Sequence, residues 1–61
     1  MSKNYRVDFY RKDKESGEKE HLGFIYIDDS GVSESMTLHA KAWRLAHPNC
    51  LMANQLITTQ L

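Results

Sequence analysis

Apolar and polar residues alternate along Tyr5-Arg6-Val7-Asp8-Phe9, the period-2 pattern of a half-buried strand, predicted over residues 5–11. A second stretch, His21-Leu22-Gly23-Phe24-Ile25-Tyr26-Ile27, is apolar at nearly every position and predicts a strand over residues 21–28. A strand of that composition shows oily side chains on both of its faces. Between the two, Lys12 to Glu20 is a mixed-charge run with Ser16-Gly17 at its middle, which reads as a solvated hairpin tip.

Asp28-Asp29-Ser30-Gly31 stops the second strand with turn-forming residues. One amphipathic helix follows, predicted over residues 34–46, with Ser33 or Ser35 as its cap and Glu34 favourable to its dipole. Met36, Leu38, Ala40, Ala42, Trp43, Leu45 and Ala46 form its broad apolar arc, and Thr37, Lys41 and Arg44 its polar remainder. Trp43 is the expected anchor, and His39 beside it on the wheel is expected to be partly buried. His47-Pro48-Asn49 ends the helix, because the residue before a proline is driven out of helical geometry. The tail tolerates a helix at Leu51 to Leu56, but Leu56-Ile57-Thr58-Thr59 favours a strand, predicted over residues 53–60. That strand can join either edge of the hairpin, or pair with a second copy of the chain.

The expectation is a small α+β domain, β-β-α-β, in which one helix packs on one face of an antiparallel sheet. It occupies residues 1–61 as a single domain. A chain this short folds near the lower size limit for independent domains and buries about 60% of its unfolded surface. The hydrophobic fraction of 41% supports a small core rather than disorder.

Register decides which side chains face outward. A three-residue loop Glu15-Ser16-Gly17, with Gly17 left-handed, pairs Lys14 with Glu18. It places Tyr5, Val7, Phe9, Ile25 and Ile27 on one face, and Tyr10, Leu22, Phe24 and Tyr26 on the other. A two-residue loop Ser16-Gly17 instead pairs Phe9 with Phe24 and Val7 with Tyr26. The first is preferred, because it puts glycine where a positive φ is needed. Either way one helix covers one face, and apolar residues remain on the other. An apolar face left open is a docking surface. The expected partner-binding residues are Arg6, Tyr10, Leu22, Phe24 and Tyr26.

Charge and chemistry narrow the function. Eight basic side chains balance eight acidic ones, whereas phosphate-binding domains carry a basic excess. Single-stranded nucleic acid is nevertheless the alternative partner, because Arg6, Tyr10, Phe24 and Tyr26 would combine stacking rings with a cation. Asp8 on the same face and Asp28-Asp29 argue against it. His47-x-x-Cys50 has a spacing that metal sites use, but one such pair is half a site. Drawn as a nucleophile and base, the same pair lacks walls to exclude water, so the reading is non-enzymatic, without cofactor or metal.

One cysteine cannot form an internal disulfide, and no apolar run approaches the ~18 residues of a membrane span. Met1 to Asn4 leads into a strand rather than resembling a signal peptide. These readings suggest a reducing cytoplasm and no membrane. In size, charge balance and element order the chain resembles the small accessory proteins that phages and mobile elements encode to bind a host factor. The resemblance is one of architecture, and it implies a stoichiometric inhibitor or adaptor, with a homodimer as a further expectation.

Overall fold

A computed structural model describes residues 3–61; Met1 and Ser2, read above as the lead into the first strand, lie outside the described residues. Strands β1 (Asn4–Lys12), β2 (Lys19–Asp28) and β3 (Gln55–Gln60) form one antiparallel sheet in the order β2-β1-β3. Helix α1 (Leu38–Leu45) and a 3-10 helix (Pro48–Met52) connect β2 to β3. The fold is the expected small α+β arrangement. No helix among the described residues is long and apolar enough to cross a membrane.

The hairpin reaches the preferred face assignment by a different local route. Tyr5 pairs with Ile27, Val7 with Ile25 and Phe9 with Gly23. The loop, however, has four residues, Lys14 to Gly17, closed by Asp13 N donating to Glu18 O at 2.8 Å. Asp13 Oδ1 accepts from Glu15 N at 2.8 Å, and Gly17 takes the left-handed φ of 75°. A fourth loop residue would flip every following side chain to the other face. A β-bulge corrects the parity: the register slips between Phe9 and Tyr10, and Tyr10 pairs with His21, leaving Leu22 as the extra residue.

The core lies on one face of the sheet. Val7, Phe9, Ile25 and Ile27 pack there with Ala42 of α1 and Cys50 of the 3-10 helix. Phe9 is the largest fully buried side chain. Trp43 is half-buried and presents its ring edge-on to Phe9, with 5.4 Å between centroids. The helix is therefore seated by the small Ala42, with Trp43 closing the flank, and Trp43 is not the central anchor the wheel suggested.

Helix α1 starts four residues later than expected. Ser33 bonds Met36 twice, N to O at 2.8 Å and Oγ from N at 3.3 Å, so the serine-rich segment closes a turn of its own. Thr37 takes the cap instead, its Oγ1 accepting from Ala40 N at 3.2 Å. The shorter helix leaves His39 exposed rather than partly buried.

Lys41 ties this connection to the sheet. Its ammonium donates to Asp28 Oδ1 at 2.6 Å, Asp28 O at 2.8 Å and Ser30 O at 2.7 Å. The Lys41 ammonium, with the Ser30 hydroxyl and amide, holds the Asp28 carboxyl at about 2, below its ordinary 3.8. A carboxyl held low contributes stability above its unfolded pKa and loses it as pH falls toward the folded one. Melting temperatures of wild type and Asp28→Asn should therefore differ most at neutral pH and converge between pH 3.8 and about 2. Parallel curves across that window would show that the Lys41 tie carries no stability.

β3 joins the hairpin along β1, and Asn54 explains the choice of edge. Its side-chain amide accepts from Lys12 N and donates to Lys12 O, both at 2.9 Å, as a neighbouring strand's backbone would. This docks the start of β3 against the end of β1.

Candidate functional site

The face opposite the helix carries alternate residues of all three strands. β1 supplies Arg6, Asp8 and Tyr10, which pair across β2 with Tyr26, Phe24 and His21, and across β3 with Thr59, Ile57 and Gln55. The alternation of β1 dictates this: with Val7 and Phe9 in the core, the even positions must face out. Phe24 is 42% exposed, Tyr26 62% and Ile57 39%.

These side chains interact as a band. The Phe24 and Tyr26 rings meet edge to face, with centroids 5.5 Å apart. The Arg6 guanidinium lies 4.1 Å from the Phe24 centroid. From the same position Arg6 also reaches Asp8 Oδ1, at 3.2 Å from both Nε and Nη2. His21 Nε2 lies 2.9 Å from that same oxygen, and the His21 ring meets the Tyr10 ring at 5.0 Å. Lys19 Nζ sits 4.6 Å above the Tyr10 centroid.

The band has two characters as a result. Around Asp8, half-buried between Arg6 and His21, polar groups satisfy one another. Around Phe24, Tyr26 and Ile57, apolar surface is open. An arginine stacked on an exposed ring and anchored by a carboxylate is already ordered, so it loses little side-chain entropy if that surface is covered.

Of the expected residues, Arg6, Tyr10, Phe24 and Tyr26 come together on this face. Leu22 does not. The bulge turns it toward the core, where it packs against the buried cluster, while its carbonyl accepts from Asn49 Nδ2 at 3.1 Å. His21 takes the place that parity had given Leu22. Ile57 was missed, because the edge joined by the last strand was not fixed by its sequence. Lys41, on the polar side of the helix, is occupied by Asp28 and Ser30.

The His47 and Cys50 pair that suggested metal or nucleophilic chemistry shares one turn, with Cys50 N donating to His47 O at 2.9 Å, but its two side chains differ in exposure. Cys50 is fully buried in the core, whereas His47 is an exposed residue at the start of the 3-10 helix. Among the described residues no three His, Cys, Asp or Glu side chains are grouped to hold a metal ion. Compared with known proteins, the chain matches no family model, no curated protein and no solved structure.

Proposed function

We propose that this chain is a non-enzymatic binding module that docks on a protein partner through the uncovered sheet face. Arg6, Tyr10, Phe24 and Tyr26 form the contact surface, with Ile57 extending it. The docking is stoichiometric, as suits an inhibitor or adaptor of the accessory-protein kind. The observation that carries this reading is the Phe24–Tyr26 pair: two exposed rings in edge-to-face contact, with Arg6 stacked on one of them. Aromatic residues and arginine are the side chains that dominate binding energy at protein interfaces.

The same rings and cations could serve single-stranded nucleic acid, and Lys19 above Tyr10 favours that second reading. Asp8 weighs against it, since its carboxylate neutralises Arg6 where a phosphate would have to approach.

The test uses Phe24→Ala with Tyr26→Ala. Exposed hot-spot rings contribute about 2 kcal/mol each on truncation. Capture of a partner from extracts of the cells that encode the chain should fall at least tenfold. The circular-dichroism melt should stay within a few degrees of wild type. Undiminished capture by a folded double variant would remove this face as the site. Binding of short single-stranded oligonucleotides that collapses between about 50 and 200 mM salt would select the nucleic-acid reading instead.

A further inference from the structure

The two edges of the sheet are protected very differently. An edge strand presents unpaired backbone N–H and C=O groups, and proteins blunt such edges with charges, bulges, prolines or covering groups. On β2 several of those devices are present, although the outward backbone groups of Phe24 and Tyr26 meet no side chain among the described residues. The strand carries Lys19, Glu20 and Asp28 and is bulged at Leu22. Its outward carbonyls at Leu22 and Asp28 accept from Asn49 Nδ2 at 3.1 Å and Lys41 Nζ at 2.8 Å.

β3 has none of them. Residues 55–61 contain no charged side chain and no proline. Its pairing with β1 is regular from Gln55 to Gln60. Leu61 N donates to Asn4 O, which fixes the alternation: residues 55, 57, 59 and 61 bond to β1. The backbone groups of Leu56, Thr58 and Gln60 therefore point away from the sheet, and among the described residues no side chain reaches them.

These three outward residues are evenly spaced about Thr58. An antiparallel copy of β3 centred there sets Thr58 opposite Thr58 and Leu56 opposite Gln60, so each outward N–H and C=O finds a partner. The stretch has no charged side chain, so no like-charged side chains are brought together. A β-branched threonine pair is itself a favourable cross-strand match. We propose that β3 pairs in this register with β3 of a second copy of the chain, joining two three-stranded sheets into one of six strands. The two-fold axis runs perpendicular to the sheet. Both uncovered faces then lie on the same side, with the two Phe24–Tyr26 pairs on the two outermost strands of the joined sheet. The inference rests on the β3 edge and not on the docking role of that face.

Sedimentation equilibrium of the full chain, from micromolar to millimolar loading, should show the mass rising from one copy toward two. A single-copy mass throughout that range overturns the proposal. Thr58→Lys and Thr58→Glu, each alone, should abolish the rise by setting like charges across the axis. Mixing the two variants should restore it. Association that persists in either variant alone, or fails to return in a mixture of folded variants, overturns the Thr58-centred register. Thr58→Pro supplies an independent arm, since it removes an outward donor without touching the ladder to β1. It should remain folded and sediment as one copy, and a folded variant that still dimerises overturns the proposal. Were it unfolded, the lysine and glutamate variants alone decide.

Discussion

Phe9→Ala is expected to leave the protein largely unfolded at 25 °C. Phe9 is fully buried on β1, the middle strand, in one cluster with Val7, Ile25, Ile27, Ala42 and Cys50. Truncating a buried phenylalanine costs about 3–5 kcal/mol, from lost burial plus the cavity left behind. At about 0.05–0.15 kcal/mol per residue, a domain of this length has only about 3–9 kcal/mol of stability in total. The Trp43 ring would also lose the partner it meets edge-on, adding to the loss. Trp43→Ala should be milder, because Trp43 is only half-buried and its outer surface already faces water. Urea titrations followed by circular dichroism check both. A Phe9→Ala variant with a cooperative melt near wild type, or one more stable than Trp43→Ala, would contradict this account of the core.

Which parts of the structure were legible in the sequence follows from where local and long-range forces agree. The alternation in Tyr5 to Phe9 and the turn residues around Gly17 and Gly31 are local signals, and both strands and both turns appear where those signals put them. The facing of Val7, Phe9, Ile25 and Ile27 was legible for the same reason: burying that set is the largest available gain, so the chain adjusts elsewhere to keep it. The bulge at Leu22 is that adjustment. Nothing in a doubly apolar strand marks which residue will be the extra one, and so Leu22 was placed on the wrong face. The helix start was misplaced because Ser33, Ser35 and Thr37 are all competent caps. The choice fell to Thr37 once Ser33 had spent its hydroxyl on Met36. The edge joined by β3 was not legible, because it is set by Asn54 meeting Lys12 across 42 positions of sequence. The open face shows the same division. Phe24 and Tyr26 follow from the preferred hairpin register, whereas Ile57 and the Asp8 carboxylate shared by Arg6 and His21 required the third strand and the bulge.

Gly23 provides the second large effect, and its sign depends on a single partner. The bulge brings Gly23 over the 3-10 helix, so a Cβ added there would stand 2.9 Å from Cys50 Sγ. Cys50 is fully buried and cannot swing aside without displacing the core. Gly23→Ala should therefore destabilise by about 1–3 kcal/mol, the usual cost of overpacking. Elsewhere in a strand the same change would stabilise, since alanine has about 0.5–1 kcal/mol less backbone entropy to lose than glycine. Cys50→Ala alone should cost a modest amount, from the lost sulfur contacts. The double variant should recover most of what Gly23→Ala loses, because each substitution removes the problem the other creates. A double-mutant cycle in urea measures the coupling, expected to exceed about 1 kcal/mol in the favourable direction. Additive losses would mean that the strand yields at Gly23 rather than at Cys50. The glycine would then serve the bulge's backbone geometry and not the close approach of the thiol.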